Sequence, residues 1–305
     1  MEFLYVLEKL RQPWLDDIMA TVTHLGGETV FMALAMVIFW CVSKRLGYYM
    51  LSVGFFGTLV NQFLKIVCQV PRPWVLDPAF TIVESARAEA TGYSFPSGHT
   101  QTVMATFGCM ARWWKKWTVR GLCMAGVVLT AFSRMYLGVH TPADVGVSLL
   151  IGLVLVFAFY PVFAGAQEKM GRMYGVLVAM LACSGAYCAF VSLNGWSTEV
   201  DPVNLASAVE NGWTMLGAVG GMLLAYRLDV RYIHFSTRAP FWGQVVKTVL
   251  GLALAVALKT ALKAPLLALF GGHPAANAVR YFLLVLFAAV LWPMTFRVLS
   301  RQKRD

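Results

Sequence analysis

Long apolar stretches separated by short polar ones run along almost the whole chain. A stretch of about 17–25 apolar residues is long enough to cross a bilayer as a helix. Such stretches lie at residues 27–43, 48–69, 98–114, 119–137, 142–163, 174–193, 208–226, 244–264 and 276–297. The pattern predicts an all-α fold, a polytopic transmembrane helical bundle of about nine spans. Eight spans are the alternative, because the stretch at 208–226 is rich in glycine and alanine.

Residues 1–26 have a different pattern, with charges throughout and apolar residues at helical spacing, among them Phe3, Leu7, Trp14 and Ile18. A cleavable signal peptide would need an uninterrupted apolar core, which this segment lacks. We expect an amphipathic helix that lies in the membrane interface. No linker and no repeat of fixed period divides the remaining residues, so we interpret them as one bundle.

Composition supports the membrane assignment. Apolar residues make up 59% of the 305 residues, charged residues only 13%, and the mean hydropathy is +0.66. Globular proteins carry about 25% charged residues, so this chain has too little polar surface for a soluble domain. The net charge of +10 lies mainly in short loops between spans, so we expect no nucleic acid partner. The six cysteines lie in apolar segments and lack zinc or disulfide-framework spacing.

The loop cations predict an orientation, because cytoplasmic loops of membrane proteins are rich in Lys and Arg. With nine spans, one side of the membrane receives Lys44, Arg45, Arg112, Lys115, Lys116, Arg120, Lys169, Arg172, Arg227, Arg231, Arg238, Arg301, Lys303 and Arg304. We expect this side to be cytoplasmic, which places the N-terminus outside and the C-terminus in the cytoplasm. The acidic residues Asp77, Glu84, Glu89, Glu199 and Asp201 fall on the outer side.

Three cations on the outer side need an explanation. Lys65 and Arg134 lie inside apolar spans, and Arg72 lies just beyond one. Ionisable groups in a span are costly and by default mark a site. All three fall near outer helix ends, where one lysine and two arginines can bind a dianion such as a phosphate group.

Two further segments carry histidines. Pro96-Ser97-Gly98-His99 opens the third span, where free backbone N–H groups favour an anion and Gly98 permits its close approach. His140 and Asp144 lie one helical turn apart, so the carboxylate can orient the imidazole as a nucleophile. His99 is then available as a general acid.

Each residue taken alone also has a structural interpretation. Asp144 fits a helix cap, His99 an interfacial polar residue, and Arg72 a snorkelling anchor. These interpretations do not explain why the residues gather on one side. Elsewhere the structural interpretation is preferred: His24, His234 and His273 as loop residues, and Gly217, Gly220 and Gly221 as a close helix contact.

The three segments resemble the signature motifs of the type 2 phosphatidic acid phosphatase superfamily: Lys-x6-Arg-Pro, Pro-Ser-Gly-His and Ser-Arg-x5-His-x3-Asp. The resemblance implies that residues 27–163 form a phosphatase core and that residues 164–305 add helices to the same bundle, a layout similar to that of glucose-6-phosphatase. His140 would attack phosphorus, Asp144 would orient it, and His99 would protonate the leaving group. The implied phosphate-binding residues are Lys65, Arg72, Ser97, Gly98 and Arg134.

The resemblance also implies a phosphohistidine intermediate, with neither a metal nor another cofactor. The expected substrate is a lipid phosphate or pyrophosphate, hydrolysed on the outer side of a bacterial inner membrane. Two alternatives stay open: a phosphatase of a soluble phosphate ester, similar to glucose-6-phosphatase, and a catalytically silent lipid transporter or scaffold. The sequence leaves the headgroup and the oligomeric state open.

Segment 73–96 favours the lipid among these substrates. It joins Arg72 to the Pro-Ser-Gly-His motif, and its apolar side chains are Trp74, Val75, Leu76, Phe80, Ile82, Val83, Tyr93 and Phe95. We expect these apolar side chains to border the site and to gain from contact with acyl or prenyl chains. The charged residues of the segment leave a polar headgroup contact open as well.

Overall fold

The computed structural model describes residues 1–165, 170–198 and 200–299. Within these ranges the chain forms α-helices and no β-strand, which confirms the all-α prediction. The helices are α1 Glu2–Lys9, α2 Pro13–Thr23, α3 Glu28–Cys41, α4 Lys44–Cys68, α5 Pro73–Leu76, α6 Gly98–Val103, α7 Cys109–Trp113, α8 Trp117–Tyr136, α9 Pro142–Phe163, α10 Met170–Leu193, α11 Pro202–Leu228, α12 Phe241–Ala261, α13 Lys263–Leu269, α14 Ala275–Leu286, α15 Trp292–Met294 and α16 Phe296–Leu299. Three π-helical turns continue or join helices at Met104–Gly108, Asp229–Ile233 and Phe287–Leu291.

Helices lie at every predicted span, although not all of them pass a test of length and composition. Five described segments are long and apolar enough to cross a membrane: Lys44–Leu76, Pro142–Phe163, Gly171–Leu193, Phe241–Leu269 and Ala275–Met294. A sixth results if Pro13–Gly26 and Glu28–Cys41, which meet at 47°, form one bent span. These are the helices of an integral membrane protein, while the count of nine and the orientation of the termini stay predictions. Lys169, Glu199 and the cations at 301–304 lie outside the described residues.

The N-terminal segment forms two helices where the sequence predicts one. Pro13 begins α2, because proline lacks an N–H and suits the first turn of a helix better than its interior. Leu4 of α1 is buried against Phe80, and Met19 of α2 packs against the cluster of Tyr136 on α8. Apolar side chains are exposed elsewhere on the two helices, at Phe3, Val6, Leu10, Trp14 and Ile18. The amphipathic pattern is therefore present, and its location in the membrane interface stays a prediction.

The chain divides into two compact units, each assembled from separate stretches. Unit 1 comprises Met1–Leu34, Tyr49–Pro161 and Trp196–Ala208. Unit 2 comprises Ala35–Tyr48, Val162–Gly195 and Val209–Asp305. In unit 1, α2 and α6 pack against α8, and this unit contains all the candidate site residues. In unit 2, Lys44 donates to both carboxylate oxygens of Asp229, at 2.9 and 2.7 Å.

Glycines bring α11 close to α14 within unit 2. A Cβ atom at Gly217 would lie 2.0 Å from the carbonyl oxygen of Ala278, and one at Gly221 would lie 3.0 Å from that of Phe282. At Gly220 the nearest atom would be 3.7 Å away, an ordinary contact. The predicted close helix contact is therefore confirmed for Gly217 and Gly221, whereas Gly220 has room for a methyl group.

We expect Gly217→Ala to destabilise unit 2, because the added methyl group must displace the backbone of α14. Overpacking of this kind costs about 1–3 kcal/mol, which should lower the Tm in detergent by about 2 °C or more. The matched control is Gly220→Ala on the same helix, which should unfold close to the parent temperature. Equal Tm values for the two variants would contradict the packing described here.

Candidate active site

The helix ends of unit 1 bring the three motifs together. Lys65 lies in the last turn of α4, Arg134 in that of α8, and Asp144 in the first turn of α9. Arg72 immediately precedes α5, and His140 lies in the turn between α8 and α9. Residues that the sequence places up to 79 positions apart are therefore neighbours in space.

His140 is held between a cation and a carboxylate. Nη1 of Arg72 lies 3.0 Å from Nε2 of His140, and Oδ2 of Asp144 lies 3.4 Å from Nδ1. A guanidinium group has no lone pair and can only donate, so Nε2 must be the accepting nitrogen. The proton of the neutral imidazole is then on Nδ1, facing Asp144. This tautomer leaves the Nε2 lone pair directed at the cationic side of the site.

The environment of His140 keeps the imidazole neutral. The side chain is 2% exposed. Burial lowers its pKa well below the ordinary value, and the charges of Arg72, Arg134 and Lys65 lower it further. A histidine must be neutral to act as a nucleophile, so both effects favour that role.

Asp144 is oriented by two hydrogen-bond donors. Its Oδ2 accepts hydrogen bonds from the Thr141 N–H at 2.7 Å and from Oγ of Ser94 at 2.6 Å. The Thr141 hydroxyl in turn accepts from the Asp144 N–H at 3.3 Å. Asp144 therefore caps α9, and the same carboxylate oxygen faces His140, while its role in orienting that histidine stays a prediction. Sequence reasoning missed Ser94, which lies fifty positions before its partner.

Arg72 is fixed by backbone carbonyl groups. Its guanidinium donates to the carbonyl oxygens of Thr91 at 2.7 Å, Gly92 at 3.1 Å and Val139 at 3.0 Å. The side chain is buried, and an arginine guanidinium stays protonated in proteins. The hydrogen bonds to these three carbonyl oxygens fix the direction of Nη1, which therefore points at Nε2 of His140.

Lys65 and Arg134 complete the cationic cluster, a name we use for Lys65, Arg72 and Arg134. Lys65 donates to the carbonyl oxygen of Tyr93. Arg134 is fully buried and donates through Nη1 to the Thr23 hydroxyl at 2.7 Å. Its Nε and Nη2 have no hydrogen-bond partner among the described residues. A buried arginine with two unused donor nitrogens is suited to an anion nearby.

Ser97 and Gly98 form the start of α6. The Ser97 hydroxyl caps α6 by accepting from the Thr100 N–H at 3.5 Å, and the Ser97 N–H donates to the Asp144 carbonyl at 3.2 Å. A Cβ atom at Gly98 would meet no other atom within 4 Å. Gly98 therefore keeps space open beside the helix start, while Ser97 holds the turn in place.

His99 has a carboxylate partner that sequence reasoning did not identify. Nε2 of His99 lies 3.0 Å from Oε2 of Glu89, and Nδ1 of His24 lies 3.3 Å from Oε1 of the same carboxylate. His24, interpreted from the sequence as a loop residue, thus belongs to the site. No local motif connects His24, Glu89 and His99, so the sequence offered no signal for the cluster.

These residues surround a cavity of about 540 Å³. Of the predicted site residues, five line it: Lys65, Arg72, Gly98, His99 and His140. The remaining three, Ser97, Arg134 and Asp144, are buried and do not line it. No group of three His, Cys, Asp or Glu side chains in the described part of the chain could hold a metal ion.

The expectation that the apolar side chains of segment 73–96 border the site is wrong, because none of them lines the cavity. Only Glu89 and Thr91 of this segment line the cavity. Phe80 and Ile82 are buried with Leu4. Trp74 lies beneath the guanidinium group of Arg87, at 5.1 Å. Phe80 and Ile82 thus pack against α1, whereas Val75 and Leu76 are exposed, and the segment presents a polar face to the site.

Comparison with known proteins agrees with this geometry. Residues 44–168 match the model of the PAP2 superfamily, and residues 213–304 match that of the PAP2 superfamily phosphatase transmembrane extension. Phosphatidylglycerophosphatase B of Bacillus subtilis is 34% identical over 178 residues, covering 53% of this chain and 80% of that protein. Undecaprenyl-diphosphatase BcrC of the same species is 30% identical over 150 residues, covering 48% and 74%. An undecaprenyl-diphosphatase of Sulfolobus acidocaldarius is 26% identical over 146 residues, covering 47% and 68%.

No solved structure matches the chain significantly. The first match contains all three motifs, and the second covers most of α11 to α16. The identity to the first relative extends over four fifths of that protein. The chain therefore belongs to the PAP2 superfamily.

Proposed function

We propose that the chain is a membrane lipid phosphatase that cleaves a lipid phosphate or pyrophosphate through a phosphohistidine on His140. Family membership makes it a phosphatase, and the names of its relatives support a lipid phosphate or diphosphate substrate. The observation that carries the mechanism is the placement of His140, with Nε2 against Arg72 and Nδ1 toward Asp144.

The first step is an in-line displacement at phosphorus. Lys65 and Arg72 bind the phosphoryl oxygens beside the open space at Gly98, and Arg134 adds positive charge from behind. When the N–H of Arg72 that contacts Nε2 of His140 donates instead to a phosphoryl oxygen, the Nε2 lone pair becomes free. It forms a bond to phosphorus while the bond from phosphorus to the leaving oxygen breaks. His99 donates a proton to that oxygen. Asp144 stabilises the positive charge that develops on His140.

The second step regenerates the enzyme. A water molecule attacks the phosphohistidine, and its proton passes to His99, which is unprotonated after the first step. The bond from Nε2 to phosphorus breaks, and inorganic phosphate leaves the cationic cluster. This sequence needs no metal ion, since the cationic cluster supplies the charge that stabilises the equatorial oxygens.

Glu89 has a positioning role in this proposal. Its carboxylate contacts His99 at 3.0 Å and so fixes the orientation of the imidazole. The buried cations Arg134 and Arg72 oppose a positive charge on His99, whereas the carboxylate in contact favours it. Glu89 thereby helps His99 to hold the proton that the leaving oxygen needs.

The site is proposed to open to the outer side of a bacterial inner membrane. The loop that contains Lys115 and Lys116 joins α7 to α8, at the end of α8 opposite to Arg134. By the rule for loop cations, this loop is cytoplasmic. The ends of α4, α8 and α6 that carry the site then lie on the outer side.

A second candidate is the phosphatase of a soluble phosphate ester. The polar lining of the cavity favours it, because a sugar or polyol phosphate needs hydrogen-bonding side chains around the group that carries the phosphate. A silent transporter or scaffold is less well supported, since it would not need the arrangement of Arg72, His140 and Asp144 described above.

Replacement of the two histidines should have different effects. His140→Asn should abolish phosphate release from every substrate. His99→Ala should lower kcat by about 100-fold or more on a lipid phosphate and much less on an activated aryl phosphate, whose leaving group needs little protonation. Phosphate release by purified protein measures both.

The parent enzyme should be equally active with EDTA, and a strict requirement for added magnesium would contradict the mechanism.

Glu89→Gln should lower kcat on a lipid phosphate by about tenfold and leave the rate on an activated aryl phosphate within about twofold, because the defect lies in protonation of the leaving group. Glu84→Gln is the matched control, since Glu84 is an exposed carboxylate paired with Arg87. It should have parent activity on both substrates. An equal loss on both substrates for Glu89→Gln would show that the residue is only structural.

The orientation is tested by labelling single cysteines in a variant without the native ones. A cysteine at position 116 should react with a membrane-impermeant maleimide only after the cells are opened, whereas a cysteine at the exposed position 84 should react in intact cells. Labelling of position 116 from outside would overturn the proposed orientation and the location of the site.

A further inference from the structure

The cavity continues beyond the phosphate-binding residues along two helices of unit 1. On α4 it is lined by Thr58, Asn61, Gln62 and Lys65, whose spacing places them on one helix face. On α6 it is lined by Gln101 and Thr102, one turn beyond Gly98. Thr58 lies about two turns from Lys65, which is roughly 10 Å along the axis. We call Thr58, Asn61, Gln62, Gln101 and Thr102 the polar subsite.

The polar subsite is unusual for the interior of a membrane helix. Of all the described residues that line the cavity, Val30 alone has an aliphatic side chain, and none has an aromatic ring other than histidine. Amides and hydroxyls in an apolar span are costly to bury and mark a site by default. The subsite carries no charge of its own, so it is not an extension of the cationic cluster.

Gln101 gives the clearest indication of a ligand. Its side chain is 2% exposed, and neither Nε2 nor Oε1 has a hydrogen-bond partner among the described residues. The amide lies over Gly57 of α4, where a Cβ atom would come within 2.1 Å of Nε2. A buried amide whose donor and acceptor are both unused is destabilising, and a bound hydroxyl group, which donates and accepts at once, would pair with it.

We propose that the polar subsite binds hydroxyl groups of the alcohol that carries the scissile phosphate. The preferred substrate is then a phosphate monoester whose leaving alcohol bears a further hydroxyl, as a glycerol-type headgroup does. This inference rests on the proposed function and narrows its substrate class. When the bond from phosphorus to oxygen breaks, the leaving alcohol receives its proton from His99 and keeps its contacts in the subsite.

A diphosphate fits this lining poorly. With the first phosphoryl group at Lys65 and Arg72, a second one would extend toward the uncharged subsite. The cavity is also lined by the carboxylates Glu28 and Glu89, which repel an additional anionic group. The lining therefore favours a neutral polyol over a second phosphate.

The test compares substrates that differ by one hydroxyl group. Lysophosphatidate has a hydroxyl beside the carbon that carries the phosphate, and the acyl ester of propanediol phosphate lacks it. We expect the parent enzyme to prefer lysophosphatidate by about tenfold in kcat/KM. Farnesyl diphosphate should be a poorer substrate than lysophosphatidate. Glycerol 3-phosphate distinguishes a lipid headgroup from a free polyol phosphate, because it offers the same hydroxyl without a chain.

Three variants separate recognition from folding. Gln101→Leu and Thr102→Val should each lower the preference for lysophosphatidate to about threefold or less, with kcat/KM for the propanediol ester within about twofold of parent. Thr106→Val is the matched control, since Thr106 lies one turn beyond Thr102 and its hydroxyl donates to the Thr102 carbonyl at 2.9 Å instead of lining the cavity. It should keep the full preference.

The outcomes distinguish this inference from the proposed function. If the parent enzyme hydrolyses both lipid esters equally, the subsite does not bind the hydroxyl group. The same conclusion follows if Gln101→Leu and Thr102→Val keep the preference for lysophosphatidate. Either result would overturn this inference and leave the proposed function intact. An equal loss of kcat/KM on all substrates in those variants would also overturn the inference, because it would show that the polar side chains bind water or stabilise the fold and do not recognise the substrate. If no lipid phosphate is hydrolysed, the proposed function itself fails.

Discussion

The placement of one histidine between a guanidinium group and a carboxylate is the interaction on which the site depends. A guanidinium can only donate, so its contact with Nε2 of His140 forces the proton onto Nδ1, which faces Oδ2 of Asp144 at 3.4 Å. Burial and the surrounding cations keep the ring neutral. A single set of contacts therefore selects the tautomer, the charge state and the direction of the nucleophile.

Much of unit 1 serves to hold this arrangement. Three backbone carbonyls fix Arg72, and Ser94 with the Thr141 N–H fixes Asp144. These partners belong to irregular segments, which have no repeating geometry of their own. The apolar residues of segment 73–96 pack those segments onto α1 and α8 and so keep the carbonyl groups in place. Packing distant from the chemistry thus sets its geometry.

The sequence predicted which motif residues meet at the candidate site but not the residues around them, for a physical reason. His140 and Asp144 are one helical turn apart, so their pairing follows from local geometry. The contact between His99 and Glu89 crosses an irregular loop, and that with His24 depends on how α2 packs against α8, so neither follows from spacing. Three residues of the polar subsite, Thr58, Asn61 and Gln62, lie on one face of the span at 48–69, a signal that sequence reasoning missed. The apolar residues of segment 73–96 were misplaced, because hydrophobicity predicts burial but not the partner.

The central claim is that phosphate passes through His140 in two displacements. The stereochemical course at phosphorus tests it most directly, because each in-line displacement inverts the configuration. A substrate whose phosphate is made chiral with oxygen isotopes should transfer that group to an acceptor alcohol with overall retention, and His140→Asn should transfer none. Inversion would mean a single displacement by the acceptor and would contradict a phosphohistidine on this residue.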